Sequence, residues 1–167
     1  MTSTMRDKRL KENKGRTRGF TLLEMLTSLV ILGILVSIAF PSMRWLIVNQ
    51  RVRNAAFDLS SALTYTRSEA SKRANDVIIS GGGTNWAAGW TITGPNISGA
   101  IETLRQQAAY ADITITAPAA SLSYRRNGRT DSAGATFAIT TTVAGLTAKR
   151  CLGIDRDGRV NTSLSSC

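Results

Sequence analysis

Glu24 is the single charged residue in an otherwise apolar run spanning residues 20–40. A carboxylate at the centre of a membrane-spanning segment costs roughly 2.5 kcal/mol or more, so one kept in such a run marks a task. The chemistry open to it is charge neutralisation. Cleavage between Gly19 and Phe20 would create a new α-amine close to Glu24, or close to the Glu24 of a neighbouring copy, and the two charges would pair in a low-dielectric setting. The carboxylate would also complement the positive end of a helix. A second chemistry is redox. Cys151 and Cys167 are the only cysteines, and in an oxidising compartment they would join as a disulfide. Closing a loop of about 15 residues is worth roughly 3 kcal/mol on a chain-entropy estimate. A third is phosphate neutralisation. Arg125, Arg126, Arg129, Lys149, Arg150, Arg156 and Arg159 crowd the last third of the chain against Asp131, Asp155 and Asp157, an excess of four positive charges.

Other chemistries are poorly supplied. The chain has no histidine, which removes the commonest general base and metal ligand together. Its carboxylates are scattered singly, and no nucleophile–base pair stands out, so no catalytic residue, cofactor or metal site is expected. Gly81-Gly82-Gly83 lacks the Lys-Ser/Thr of a phosphate loop. Asp155-Arg156-Asp157-Gly158 opens like a calcium loop but lacks the closing glutamate, so it reads as turn chemistry.

The element that must carry Glu24 is a helix. Twenty-one residues at ~1.5 Å each span ~30 Å, the hydrocarbon thickness of a bilayer. Residues 1–19 hold seven basic side chains against two acidic ones, half of the formal net charge of +10. That basic flank should stay in the cytoplasm, with everything after Pro41 outside. Three readings fit such a segment: a secretory signal with Ser37-Ile38-Ala39 as its cleavage site, a plain anchor, or a leader removed before the apolar helix so that the helix is kept. Glu24 favours the third, because a discarded signal or a simple anchor has no use for it.

Beyond residue 40, Pro41 lacks an N–H and crowds the preceding turn, which predicts a kink. Trp45, Val48, Val52, Ala55 or Ala56, Leu59 and Leu63 then recur at three- and four-residue steps, an apolar stripe suited to packing on a sheet. The helix should end near Arg73-Ala74-Asn75. Short strand-like segments follow at 76–80, 90–93, 102–107, 112–116, 121–125, 135–140, 148–154 and 159–162, separated by turn residues such as Asp157-Gly158. The expected fold class is α+β: one long N-terminal helix packed on a small antiparallel sheet head. The expected organisation is a leader at 1–19, a membrane-spanning assembly helix at 20–40, an amphipathic helix at 41–75 continuing into the head, and a β-rich head at 76–167.

Gly19-Phe20-Thr21-Leu22-Leu23-Glu24, the apolar helix behind it and Pro41 resemble the type IV prepilin motif. The resemblance implies a prepilin peptidase that cuts after Gly19 and methylates Phe20, with Glu24 guiding docking into a filament of major and minor pilins or pseudopilins. It also implies a single-pass protein of the bacterial inner membrane, with a periplasmic head that becomes extracellular in a pilus. Residues 59–70, Leu122-Ser123-Tyr124-Arg125-Arg126-Asn127-Gly128, Lys149-Arg150-Cys151-Leu152-Gly153-Ile154 and Gly158-Arg159-Val160 are similar, in that order, to the GspH/FimT pseudopilin domain. That likeness implies a minor pilin near the pilus tip that helps initiate assembly. Two alternatives are a DNA-binding minor pilin for natural transformation and a minor pseudopilin of a type II secretion system. The family's DNA-binding tail is similar to Gly-Arg-x-Arg; here Asn161 stands at the place of the second arginine.

Overall fold

The computed structural model describes residues 19–131, 134–163 and 167. All but the last residue of the expected leader lies outside the described residues. The chain divides at Phe40/Pro41 into two compact units, and helix α1 (Leu22–Arg73) contributes to both. Its helical assignment is unbroken through position 41, so Pro41 does not end it.

In the first unit, every α1 side chain from Leu22 to Phe40 is exposed, although nearly all are apolar. A helix that is apolar all round needs either a protein core or lipid around it, and α1 is long and apolar enough to cross a membrane. The Thr and Ser hydroxyls along it turn back on the backbone. Thr27 and Ser28 donate to the Glu24 carbonyl at 3.0 and 2.7 Å, and Ser37 donates to Ile34 at 2.7 Å. These bonds spare the hydroxyls an unpaired existence in an apolar setting.

In the second unit, the stripe on α1 is buried from Val48 onward: Val52, Ala55, Leu59 and Leu63 have no exposed surface. Trp45, expected at the head of that stripe, is half exposed instead. The helix ends without glycine. Ala74 adopts φ 51°, Ala74 N–H donates to Ser71 and Asn75 N–H to Ala70, the paired bonds of a Schellman cap.

Among the described residues eight strands follow: β1 (Val77–Ser80), β2 (Trp90–Pro95), β3 (Ile101–Gln107), β4 (Ile113–Thr116), β5 (Ser121–Tyr124), β6 (Thr136–Thr141), β7 (Lys149–Ile154) and β8 (Val160–Ser163). All pair antiparallel, as expected, and they divide into two four-stranded sheets, ordered β3-β2-β1-β5 and β4-β6-β7-β8. The division has a local cause. After β1 the chain enters a short 3₁₀ turn (Trp86–Ala88), and Trp86 is fully buried with its ring edge-on to Phe137 of the other sheet at 5.1 Å. Its indole N–H donates to the Ala119 carbonyl at 3.0 Å. Asn85 caps that turn through Ala87 N–H and also accepts from Ile115 N–H in β4. Gly81 leaves room for the indole, since any side chain there would strike Trp86. The triglycine stretch is thus a packing device as well as a turn. One continuous core joins α1 and the inner faces of both sheets.

Candidate functional site

Gly19, Phe20, Thr21 and Glu24 line one shallow cleft at the start of α1. Gly19 and Phe20 are non-helical and exposed, so the peptide bond between them lies in open chain. Thr21 explains why the helix begins so close by: its hydroxyl oxygen accepts Glu24 N–H at 3.2 Å, the geometry of an N-cap. Glu24 is therefore in the first turn, where a carboxylate favours the helix dipole. Thr21-x-x-Glu24 is the spacing of a capping box, a signal present in the sequence and passed over there.

The seven basic residues of the last third do not form one cluster. Arg125, Arg126 and Arg129 belong to the turn after β5, and Arg156 and Arg159 to the hairpin between β7 and β8. The two turns are near copies in sequence, Arg125-Arg126-Asn127-Gly128-Arg129 and Asp155-Arg156-Asp157-Gly158-Arg159. They are copies in geometry too. Arg125 N–H donates to Arg129 O and Asp155 N–H to Arg159 O, both at 2.9 Å; Gly128 N–H and Gly158 N–H close the inner bonds at 2.8 Å. Both glycines sit at φ 73°. The turns abut: a side chain on Gly158 would meet the Gly128 carbonyl, and the Tyr124 hydroxyl is 3.4 Å from the Gly158 carbonyl. Burial pushes the Tyr124 hydroxyl up to about 12, with Arg67 opposing, so it stays a neutral donor. Arg67 of α1 donates to the Gly128 carbonyl at 3.1 Å.

Arg126, Arg129, Arg156 and Arg159 are exposed on these paired turns, and Arg125 is paired with Asp131 at 2.6 Å. Lys149 and Arg150 stand at the opposite end of β7, about 17 Å along the strand. Arg150 is half buried beside Arg53, Phe57 and Ser60 of α1. Asn161, in place of the tail's second arginine, donates to Asp155 at 2.8 Å and braces the second turn. The Cys151–Cys167 disulfide is formed, with Cα atoms 5.4 Å apart.

A further ionic cluster lies at the far end of α1. Arg73 donates to Glu69 at 2.9 Å, to Glu102 at 2.8 Å and to the Pro95 carbonyl at 2.7 Å, tying the helix end to the β2–β3 hairpin. The Arg73 hydrogen bond holds the Glu69 carboxyl below the usual range against the opposing effect of burial, with help from Lys72. These groups pair among themselves, as a structural clasp does. Among the described residues, no three His, Cys, Asp or Glu side chains gather as a metal site would require.

An apolar, N-capped helix with an acidic first turn, continuing into a head of antiparallel sheets, defines a pilin-type subunit. Residues 14–40 match the prokaryotic N-terminal methylation motif. The family model of the type II transport protein GspH matches residues 55–158, more than half of the chain, and the chain belongs to that family. Its fold is similar to two crystal structures of the type IV minor pilin FimU of Pseudomonas aeruginosa. Both are 28% identical to it, with TM-scores of 0.55 and 0.57; the matches cover 66% and 68% of this chain and 91% and 89% of theirs. A search of curated proteins finds no match. The family is one of structural pilins, whose members assemble with other pilins after prepilin peptidase processing.

Proposed function

We propose that this chain is a minor pilin that is incorporated at or near the tip of a type IV pilus and helps to initiate its assembly. The observation that carries the reading is the likeness of its fold to the minor pilin FimU. On this reading residues 1–19 are the leader, cut between Gly19 and Phe20, and the peptidase methylates the Phe20 amine. Residues 20–40 anchor the protein in the inner membrane and then pack in the filament, with Glu24 neutralising a subunit amine. Residues 41–75 carry the helix into the head, and residues 76–167 complete a periplasmic head that becomes extracellular on the pilus. In a clean deletion strain, sheared surface pili and twitching motility should fall and return on complementation. Normal piliation in the deletion strain would end the proposal.

A second reading is favoured by the paired turns: a receptor for double-stranded DNA. Four exposed arginines on abutting loops are suited to adjacent phosphates. A head fragment lacking residues 1–47 should then shift duplex DNA at low salt. Arg126→Ala with Arg159→Ala should weaken binding and flatten its salt slope, whereas Lys149→Ala should not. Absence of binding at low salt would eliminate this reading. The GspH family's own description keeps a type II secretion pseudopilin as the remaining alternative. Loss of enzyme export with intact pili would select it.

A further inference from the structure

The β3-β2-β1-β5 sheet has one face on the core and one face open. On the open face, register places Ile78, Thr93, Thr103 and Ser123 in one row across all four strands. The neighbouring positions on that face add only Ser, Thr, Gln, Pro and Ile. Every one is exposed or half exposed, and none is charged. The two charges of edge strand β3 point the other way: Glu102 pairs with Arg73, and Arg105 lies over the Tyr65 ring, both on α1. Exposed sheet faces usually carry charge, which keeps them in water and guards against unwanted pairing. The mature chain proposed above keeps only half of the net charge of +10 once residues 1–19 are removed, and a face without charge is where another subunit can approach without repulsion.

At one end of this face the β2–β3 hairpin is locked. The Asn96 side chain accepts from Ser98 N–H, the Ser98 hydroxyl and Ala100 N–H, at 3.0, 2.7 and 3.0 Å. The turn so fixed leads into Ile101, largely exposed at the end of the face, while Ile97, also exposed, borders the cleft of Glu69, Lys72, Arg73 and Glu102. Pre-ordering a loop that displays an apolar side chain lowers the entropic cost of docking.

The geometry points to this face, with Ile101 at its hairpin end, as the surface on which the head of a neighbouring pilin-family subunit docks in the filament. The size of the face selects that occupant. Four strands at ~4.8 Å spacing and about five residues of length cover roughly 350 Å². A stable free complex needs about 800 Å² from each partner. The face is therefore too small to hold two heads together in solution. It suffices where the apolar helices already keep subunits side by side at high effective concentration. This inference rests on the proposed pilin function, and it specifies which surface of the head serves it.

The test uses the full-length chain returned to the deletion strain. Thr93→Lys and Thr103→Lys place a lysine on the open face, and Thr136→Lys places one at an exposed position of the other sheet. Incorporation into sheared filaments should fall roughly tenfold or more for the first two, because docking would desolvate an unpaired charge, and should be unchanged for the third. A photo-crosslinking residue at position 103 should capture a pilin-family subunit, identified by mass spectrometry. The inference is overturned if both face variants incorporate at wild-type level, or if the crosslink captures nothing or a protein outside the family. Restoration of pili by the wild-type chain is scored separately: its failure would defeat the pilin reading itself, whatever the variants do.

Discussion

The two Arg-Asx-Gly-Arg turns allow a test in which sequence is nearly constant and packing varies. Gly128 and Gly158 occupy the same place in the same turn at the same φ of 73°. Alanine at either must adopt a left-handed conformation, at roughly 1–2 kcal/mol. Their neighbours differ. A Cβ on Gly128 would meet mainly the Arg67 side chain, with Nε at 3.1 Å, and a flexible side chain can shift. A Cβ on Gly158 would strike the Gly128 carbonyl and lie 2.9 Å from a Tyr124 ring carbon, both held in place by the turn and the core. Overpacking of that kind adds roughly 1–3 kcal/mol. Gly128→Ala should therefore cost about 1–2 kcal/mol and Gly158→Ala about 2–5 kcal/mol. For a domain of this size each kcal/mol lowers Tm by about 4 °C. Urea and thermal unfolding of the head fragment lacking residues 1–47 would read both. Equal losses, or a larger loss at Gly128, would refute the abutting arrangement of the turns.

Three other outcomes follow from named contacts. Thr21→Ala removes the N-cap of α1 and should slow processing at Gly19–Phe20, measured as the ratio of precursor to mature chain, while Thr21→Ser restores it. Glu69 has a folded-state pKa held below its ordinary value, so its stabilisation is complete above the usual carboxylate range and is lost as pH falls through the folded value. Glu69→Gln should flatten the acid limb of head stability and leave the neutral-to-alkaline side parallel to wild type. Cys151→Ser opens a disulfide spanning 16 positions and should cost about 3 kcal/mol, or roughly 10 °C in Tm; reduction of the wild type should reproduce the loss.

Much of the fold was legible because its signals are local. All eight strands of the described residues appear within a residue or two of their expected places, since short runs between turn residues need little context. The end of α1 at Arg73 was also legible, although its cap uses Ala74 in place of the usual glycine. The split into two sheets was not, because it depends on Trp86 reaching Phe137 across 51 positions. Trp45 looked like core because it fits the apolar period, and a period does not tell where the head begins to cover the helix. At the basic region, composition collected seven residues, but Lys149 and Arg150 stand at one end of β7 and the arginines of the two abutting turns at the other. The repeated turn sequence was visible from the start, but only the structure shows the two copies in contact.

A filament role requires that the helix of residues 20–40 be kept while the basic segment before it is removed. Intact mass of the protein extracted from membranes tests this directly. The extracted chain should begin at Phe20, lack residues 1–19 and carry one added methyl group. A full-length chain, or one cut after Ala39, would contradict that role.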